Sequence, residues 1–277
     1  MTAGTSRTGR VRLDMLMVER GLAATRSQAQ LLISEGHVRV DGERRMQPGE
    51  RIAKDRRIEV EQGPRFASRG GEKLEAALVE FGVEVKGLVC ADVGASTGGF
   101  TDCLLQRGAV KVYAIDVGKG ILDWRLRNES RVVVMEETNA RYLARLPEPI
   151  DLVTVDASFI SLRLLLPVVR AWLAPNGQAV ALIKPQFEAG RAQVKRGGVV
   201  RDAAVHQSVL VEVLTAASRV GLWPHGLMRS PLRGPAGNVE FLAWLRQEAA
   251  PHTIEQLAAE VLRRDEEATP QDGPREP

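Results

Sequence analysis

The chain has 277 residues, of which 44% are hydrophobic and 26% charged, and its formal net charge is only +3. These proportions are those of a globular protein, and they exclude a fibrous or low-complexity chain. No apolar run approaches the roughly 20 residues that a membrane-spanning helix needs, and no signal peptide opens the sequence. We therefore expect a soluble, cytoplasmic protein, long enough for one large domain and a small one.

The positive charge is concentrated near the N-terminus. Residues 1–70 contain 14 Lys and Arg against 9 Asp and Glu, a net +5, whereas the remainder is slightly acidic. A basic segment ahead of a near-neutral body is typical of polyanion binding, although it also fits a solvated surface. The two cysteines, Cys90 and Cys103, lack metal-ligand spacing, and the four histidines do not cluster in the sequence. We expect buried thiols and no metal site.

The first 61 residues predict a small module behind a short tail. Residues 1–10 lack apolar side chains, which predicts disorder. Residues 11–61 then predict a compact α+β domain. Its elements are helices over 12–20 and 25–36, a hairpin over 37–45 that turns at Asp41-Gly42, and a strand over 56–60.

A linker over 62–71, rich in Gly, Pro, Ser and Arg, precedes a change of pattern. Over 72–248, short apolar strands alternate with helices, which predicts a parallel sheet covered by helices on both faces. The predicted strands are 89–93, 111–116, 131–135, 151–156 and 178–184, with 241–246 as an edge strand. The predicted helices are 72–81, 98–107, 119–127, 139–145, 161–173 and 202–220. Residues 249–277 predict a C-terminal helix and a disordered acidic tail that begins at 265.

The stretch DVGASTGGF, residues 92–100, follows the first of these strands and opens a helix. Its glycines let the backbone approach a ligand closely. Asp116 ends the second strand, about 22 residues beyond Gly94, where an acid can bind the two hydroxyls of a ribose. These features predict an adenosine-containing cofactor at the carboxyl ends of the strands. The alternative is a helix start whose glycines serve only packing.

Asp92 discriminates among such cofactors. A dinucleotide places its pyrophosphate at the helix N-terminus, and a carboxylate on the preceding strand would repel that phosphate. Asp92 instead suits the ammonium and sulfonium groups of S-adenosylmethionine. A P-loop is a poorer fit, because no Gly-Lys-Ser/Thr follows the glycines.

Several motifs resemble those of a known family. DVGASTGGFTDCLLQRGA is similar to the S-adenosylmethionine motif of the FtsJ-like ribose 2′-O-methyltransferases. The segments RFASRGGEKLEAAL, NARYL, VDASFISLRLLLP, LIKPQFEAGR and GNVEFLAWL narrow the resemblance to the TlyA family, over about residues 11–246. RLDMLMVERGLAATRSQAQLLISEGHVRVDG follows the S4 RNA-binding pattern. The chain departs from the family at Ala67, where valine is usual, and at Ile121, where glutamine is usual.

The resemblance implies an α/β, Rossmann-like S-adenosylmethionine-dependent methyltransferase domain behind a small α+β RNA-binding domain. It implies 2′-O-methylation of ribosomal RNA, with ribosomal subunits as partners and no metal or membrane involved. It also implies a catalytic tetrad, whose members here are Lys73, Asp156, Lys184 and Glu240.

The sequence around the tetrad supports some members more than others. Lys184 follows an apolar strand, and burying it unpaired would cost several kcal/mol. We therefore expect it to pair with Asp156 and to act as the general base. By their own sequence context, Lys73 and Glu240 fit surface positions, and Asp156 fits a cap of the following turn through Ser158.

Two further sets of residues are expected to bind ligands. The cofactor set is Asp92, Gly94, Ala95, Ser96, Thr97, Gly98, Gly99, Phe100, Asp116 and Asn139. The RNA set is Arg12, Arg20, Arg26, Gln28, Arg39, Arg44, Arg65 and Arg69, in which arginine suits phosphate because its fork donates two hydrogen bonds. Each member of the RNA set also fits ordinary solvation. With only 4% aromatic residues, base stacking is expected at isolated positions such as Phe66, Phe159 or Phe187.

Two other functions stay open. One is an RNA-binding ribosome assembly factor without catalysis. The other is a haemolysin, a label that this family has also carried, although no spanning segment, signal peptide or strongly amphipathic helix supports it.

Overall fold

The structure is a computed structural model that describes residues 9–23, 25–34, 36–60, 65–190, 193–194, 198–234 and 236–268. The chain divides into two compact units, Met1–Arg65 and Phe66–Pro277. A separate hydrophobic core lies in the first unit, and two core clusters lie in the second.

The first unit packs two helices against short antiparallel strands. Its helices are α1 (Leu13–Glu19) and α2 (Arg26–Ser34). The strands are β1 (Arg10–Arg12), which pairs with β4 (Arg51–Ala53), and β2 (Val38–Val40), which lies between β3 (Glu43–Arg45) and β5 (Ile58–Val60). Apolar side chains from both helices and from β2 form the core.

Strand β1 corrects the prediction of disorder over 1–10, because Arg10 pairs with Ala53 of β4. Residues 1–8 lie outside the described residues. Neither β1 nor β4 was predicted, since three residues are too few to show a period of two. Between β2 and β3, Asp41 and Gly42 both have positive φ, 52° and 84°, which is the backbone of the tight hairpin turn that Asp-Gly predicts.

The second unit is built on a seven-stranded sheet with helices on both faces, so the predicted α/β fold class is confirmed. Its strands are β6 (Val89–Val93), β7 (Lys111–Ile115), β8 (Val132–Met135), β9 (Ile150–Val155), β10 (Leu173–Ile183), β11 (Trp223–Arg229) and β12 (Phe241–Arg246). The helices are α3 (Gly70–Glu80), α4 (Gly99–Gln106), α5 (Trp124–Arg127), α6 (Leu162–Trp172), α7 (Pro185–Glu188), α8 (Ala203–Arg219) and α9 (Ile254–Ala268).

The strand order is β11-β12-β10-β9-β6-β7-β8. Strands β6 to β10 run parallel, and β12 is antiparallel to both β10 and β11. The order reverses at β6, because β7 lies on one side of it and β9 on the other. Ligands bind at such a reversal, outside the carboxyl ends of the strands. The structure therefore marks the ends of β6 and β9 as the place to search for a site.

The prediction of 241–246 as an edge strand is wrong. Strand β12 bonds to β10 and β11 on its two sides, and β11, which was not predicted, forms the edge. The sequence of β11, WPHGLMR, contains Pro and Gly, which weaken a strand pattern. These two residues are tolerated there because one side of an edge strand needs no partner.

Several helices also differ from the prediction. Of 119–127 only Trp124–Arg127 is helical, and of 139–145 only a 3₁₀ turn at Ala140–Tyr142 forms. Helix α3 begins at Gly70, two residues early. Helix α9 continues to Ala268, so the predicted disorder from 265 is wrong over four residues, and 269–277 lie outside the described residues.

The turn after β6 touches the end of β9 through Gly94. Its φ is +83°, and a Cβ added there would lie 2.7 Å from the carbonyl oxygen of Asp156. A side chain would thus combine an unfavourable backbone conformation with a clash against a main-chain atom. Only glycine fits this contact.

We predict that Gly94→Ala lowers the free energy of unfolding of the second unit by about 3 kcal/mol. The matched control is Gly120→Ala, since Gly120 has a similar φ of +68° but nothing within 4 Å of an added Cβ. That control should cost about 1 kcal/mol, the conformational part alone. Urea unfolding followed by tryptophan fluorescence measures both, because all four tryptophans lie in this unit. Equal losses of unfolding free energy in the two variants would show that the close contact with Asp156 adds no cost of its own.

Candidate active site

Two adjoining cavities lie at the carboxyl ends of the parallel strands. We call the smaller one, of about 270 Å³, the cleft, and the larger one, of about 620 Å³, the pocket. Four residues line both cavities: Gly94, Ser96, Asp156 and Ser158. The two cavities therefore meet where the strand order reverses, between the ends of β6 and β9.

All four members of the predicted tetrad line the cleft. Sheet topology explains three of them. Asp156 follows the last residue of β9 and Lys184 follows the last residue of β10, and these parallel strands are neighbours. Glu240 precedes β12, whose antiparallel direction brings its first residue opposite Ile183 at the end of β10. The ends of two strands and the start of a third thus place three charged residues at one edge of the sheet.

Lys184 is held by oxygen atoms of two residues, Asp156 and Ser158. Its Nζ lies 2.6 Å from Oδ1 of Asp156 and donates a hydrogen bond of 2.8 Å to Oγ of Ser158. The residue is only 8% exposed, and the same Nζ lies 5.9 Å from the ring centroid of Phe187. The pairing with Asp156 is the one that the sequence predicts, whereas Ser158 was expected only as a participant in a turn.

Lys73 and Glu240 form the second pair. Nζ of Lys73 donates to Oε2 of Glu240 over 2.5 Å, and the two residues are 9% and 1% exposed. Lys73 belongs to α3, so this contact joins a helix on one face of the sheet to the start of β12. The reading of both residues as surface groups is therefore wrong.

Buried ion pairs of this kind add little to stability. Each charge loses its hydration, and the attraction between partners roughly compensates for that loss. Removing one partner is far more costly, about 3–5 kcal/mol, because an uncompensated charge stays buried. Two such pairs in one cleft are typical of functional sites.

The pocket has the features expected of an adenosine site. Asp116 lines it at the end of β7, and its carboxylate accepts hydrogen bonds from the backbone N–H groups of Ser96 (2.8 Å) and Gly118 (2.7 Å). Asn139 lines the pocket too, with its side-chain oxygen capping the 3₁₀ turn through the N–H of Arg141. Part of the pocket lining is apolar, including Ile160, Leu164 and Leu165.

The glycine turn contributes most of its predicted residues to these cavities. Gly94, Ala95, Ser96, Thr97, Gly99 and Phe100 line the cleft, and Gly94 and Ser96 also line the pocket. Gly98 does not, because its open side faces Leu126 and Leu122, and a Cβ would lie 2.1 Å from Leu126 Cδ1. The packing role that the sequence left open thus belongs to Gly98, the N-cap residue of α4, which has a φ of +97°.

The structure also corrects the predicted role of Asp92. It is completely buried and lines neither cavity. Its carboxylate accepts hydrogen bonds from the hydroxyls of Thr101 (2.7 Å) and Thr154 (3.1 Å). The prediction that Asp92 meets the cationic groups of a cofactor is not supported, since its oxygens tie β6 to α4 and β9 behind the turn.

The aromatic positions behave differently from one another. Phe66 is 2% exposed and packs in the core, so it cannot stack on a base. Phe159 lines the pocket with 91% of its surface exposed and a φ of +62°. Its ring centroid lies 5.0 Å from that of Phe187. A large exposed ring on a strained backbone is a feature that functional sites retain.

In the first unit, a buried carboxylate organises the basic residues. Asp14 is fully buried and accepts hydrogen bonds from Nε and Nη2 of Arg12 (3.0 and 2.8 Å), from Arg26 (3.1 Å) and from Gln30 (2.9 Å). These bonds hold the pKa of Asp14 far below its ordinary value, Arg12 being the main cause. Asp14 thus fixes two of the predicted RNA-binding arginines in place.

The other members of the RNA set have varied surroundings. Arg20 donates to the carbonyl oxygens of Arg56 (2.7 Å) and Lys54, and Arg39 donates to that of Gly42 (2.9 Å). Arg44 and Arg65 are exposed, and Gln28 lies in α2 with its side chain outside the described part of the chain. Arg69 belongs to the second unit, where it lines the cleft.

Sequence reasoning missed three residues near the site. Ser158 binds Lys184, and Arg233 lines the cleft. Glu188 is buried, with its carboxylate accepting from Oγ of Ser161 (2.6 Å) and the N–H of Leu162 (2.7 Å). It joins the segment after Lys184 to the start of α6. Only the family motifs could have signalled Ser158 and Glu188, and no local pattern signals Arg233.

A mainly parallel sheet, a glycine turn at the strand-order reversal, an acid at the end of the next strand and a paired-lysine cleft define a Rossmann-like methyltransferase. Comparison with known proteins agrees. The model of the FtsJ-like methyltransferase family matches residues 66–247, and that of the S4 domain matches residues 11–58.

Individual relatives are similar over most of their length. The 16S/23S rRNA (cytidine-2′-O)-methyltransferase TlyA of Mycobacterium tuberculosis is 45% identical over 86% of this chain and 91% of its own. Hemolysin A of Brachyspira hyodysenteriae is 41% identical over 84% and 98%. A solved structure of a candidate hemolysin from Streptococcus thermophilus has 40% identity and a TM-score of 0.68, covering 94% of this chain and 99% of that one.

The chain belongs to the TlyA family of FtsJ-like methyltransferases that carry an S4 domain. Within the described ranges, no helix is both long and apolar enough to cross a bilayer. Among the same residues, no group of three His, Cys, Asp or Glu side chains could hold a metal ion.

Burial raises the pKa of Asp92 to about 7, and nearby Asp156 adds to the rise, while the bonds from Thr101 and Thr154 oppose it. Between about pH 4 and pH 7 the folded protein therefore keeps a proton that the unfolded chain has lost. Stability contributed by this group falls as pH rises through that window, by up to about 1.4 kcal/mol per pH unit. Above pH 7 both states are ionised, and the loss stops growing.

We predict that Asp92→Asn removes this slope. Between pH 5 and pH 8, the wild type should lose about 2 kcal/mol of unfolding free energy relative to the variant. Urea unfolding followed by tryptophan fluorescence at both pH values measures the difference. Glu84→Gln, at an exposed position, is the control and should run parallel to the wild type. A parallel profile for Asp92→Asn as well would contradict the assignment.

Proposed function

We propose that this protein transfers a methyl group from S-adenosylmethionine to a ribose 2′-hydroxyl of ribosomal RNA. The observation that carries the proposal is the cleft, in which Lys184 is paired with Asp156 and Lys73 with Glu240 beside a pocket suited to adenosine. The named M. tuberculosis relative is an rRNA (cytidine-2′-O)-methyltransferase, and its similarity over most of this chain supports the same reaction class.

The pocket fits the cofactor on its own chemistry. A cavity of about 620 Å³ lies within the range of small-molecule sites, which are mostly apolar with a few polar groups that set orientation. Asp116 would hold the ribose hydroxyls with its remaining lone pairs, and Asn139 and the apolar part of the lining would enclose the base. Gly94 and Ser96, which line both cavities, would lie beside the methionine part. When bound there, the cofactor supplies an electrophilic methyl group on sulfur.

Lys184 acts as the general base in this proposal. Lys184 first releases its ammonium proton to solvent, and the neutral amine then accepts the proton of the 2′-hydroxyl as the oxygen takes the methyl group. Asp156 and Ser158, at 2.6 and 2.8 Å from Nζ, hold the amine in position before the reaction and stabilise the ammonium that forms. The products are a 2′-O-methyl ribose, the neutral demethylated cofactor and the proton on Lys184.

Lys73 and Glu240 serve orientation. The ammonium of Lys73 can donate to the ribose oxygen while Glu240 accepts from Lys73 over 2.5 Å. A positive charge near the attacking oxygen stabilises the negative charge that develops on it. Phe159, exposed at the pocket, offers a ring on which the base of the target nucleotide can stack.

The first unit supplies RNA affinity. It matches the S4 domain, and Asp14 holds the guanidinium groups of Arg12 and Arg26 in a defined arrangement. Preorganised arginines lose less conformational freedom when they bind phosphate. Recognition by shape and phosphate contacts suits a folded ribosomal RNA.

The test is tritium transfer from labelled S-adenosylmethionine to purified ribosomal subunits that lack the modification. Label should enter RNA and survive alkaline hydrolysis as a protected dinucleotide, because a 2′-O-methyl group blocks cleavage at the next phosphate. Lys184→Ala should reduce the rate at least 100-fold, the range of general-base catalysis. Lys86→Ala, at an exposed position outside both cavities, is the matched control and should react at the wild-type rate.

Other outcomes would redirect the proposal. Label found only in mononucleotides after alkaline hydrolysis would place the methyl group away from a 2′-oxygen. That result would overturn the proposal. If the protein binds the cofactor but methylates neither subunit, the proposed substrate, ribosomal RNA in the subunits, is wrong. Binding of subunits without cofactor binding would favour an assembly factor.

A further inference from the structure

The cleft contains positively charged side chains that belong to neither of its two ion pairs. Six charged residues line it: Arg69, Lys73, Asp156, Lys184, Arg233 and Glu240. The pairs Lys73–Glu240 and Lys184–Asp156 account for four of them. Arg69 and Arg233 are left, so the lining carries a net charge of +2.

The two arginines flank the Lys73–Glu240 pair from separate elements. Arg69 precedes the first residue of α3, four positions before Lys73, a spacing that brings side chains together along a helix. Arg233 precedes Gly234, and a Cβ added at Gly234 would lie 2.6 Å from Oε1 of Glu240. The sequence position of Arg69 and the contact beside Gly234 therefore place both arginines near the Lys73–Glu240 pair.

Both guanidinium groups are available to a ligand. Each arginine is exposed, and in the part of the chain that the structure describes neither forms an ion pair with a carboxylate. Among the described residues, Arg233 makes one hydrogen bond, from Nη1 to the carbonyl oxygen of Gly237 (3.3 Å). This leaves its other donors free and ties the side chain to its own loop.

The loop that carries Arg233 is firmly anchored. Asn238 is 2% exposed, accepts from the N–H of Val200 (3.0 Å) and donates to the carbonyl of Gly198 (2.9 Å). The N–H of Gly234 donates to the carbonyl of Asn238 (2.9 Å). Arg233 is thus presented at the cleft by a backbone that buried bonds hold in place.

We propose that Arg69 and Arg233 form a subsite for the phosphodiester next to the target ribose. The inference rests on the proposed function, because a 2′-hydroxyl always lies beside the 3′-phosphate of its own nucleotide. A cleft that brings this hydroxyl to Lys184 must therefore accommodate a negative charge close by. Guanidinium groups suit that charge through paired N–H donors. The subsite would set which oxygen of the chain reaches the base.

The cofactor carboxylate is the competing anion. Both arginines line the cleft but not the pocket, and neither is among the residues that the two cavities share. The position therefore favours the RNA chain, and the experiment separates the two sources.

The experiment compares full-length wild type, Arg233→Ala, Arg233→Lys and Arg69→Ala. It measures kcat and KM for ribosomal subunits lacking the modification across a series of salt concentrations, and the Kd of S-adenosylhomocysteine. The control is Arg219→Ala, which removes an equal charge from the exposed end of α8, outside the cleft. Arg233 is exposed on a loop, so its replacement should leave the fold intact.

We expect each alanine variant in the cleft to raise KM for the subunits about tenfold. The slope of log kcat/KM against log salt should become shallower by about one, as for the loss of one phosphate contact. Arg233→Lys should recover most of the slope, and the Kd of S-adenosylhomocysteine should not change.

A salt slope that equals that of Arg219→Ala would overturn the subsite. So would a weaker Kd for S-adenosylhomocysteine with an unchanged slope, which would assign the arginines to the cofactor carboxylate. Failure of the wild type to methylate either subunit is a different result, since it rejects the proposed function. In that case the salt slope of subunit binding still decides whether Arg233 contacts phosphate.

Discussion

The site depends on keeping three charged side chains, Lys73, Lys184 and Glu240, almost entirely out of water. Lys73 and Glu240 are almost fully buried, and Lys184 is nearly so, with Asp156 as its partner. A buried ammonium without a carboxylate would cost several kcal/mol. The carboxylates are therefore a condition for having lysines in the cleft at all. In return, burial strengthens each lysine's interaction with a reacting oxygen.

The topology of the sheet meets this condition. Lys184 follows β10, Asp156 follows β9, and Glu240 precedes β12, which is antiparallel to β10. A parallel strand in the position of β12 would begin at the opposite edge of the sheet and could not place Glu240 beside the cleft. The pocket lies where the strand order reverses, between β6 and β9. The charged cleft is next to it. Gly94, in contact with Asp156, keeps the two cavities continuous.

Local sequence pattern predicted the parallel strands well, because each is an apolar run that a turn or helix follows. It could not predict the Lys73–Glu240 contact, since 167 residues separate the partners and β12 was taken for an edge strand. Only the resemblance to a family brought these two residues into the same site. The prediction for Asp92 was wrong for a related reason. The pattern places an acid near the turn, but the direction of its side chain depends on hydrogen bonds from Thr101 and Thr154 in other elements. Arg233 lies on a loop without any periodic signal.

Stability and methyl transfer together, measured on Lys73→Met, Glu240→Leu and the double variant, test most directly whether the buried charges serve chemistry rather than folding. Each single variant should lose about 3–5 kcal/mol of unfolding free energy, because it leaves one charge buried alone. The double variant should recover most of that loss and remain inactive towards RNA. A double variant that methylates RNA at the wild-type rate would contradict the account, as would single variants as stable as the wild type.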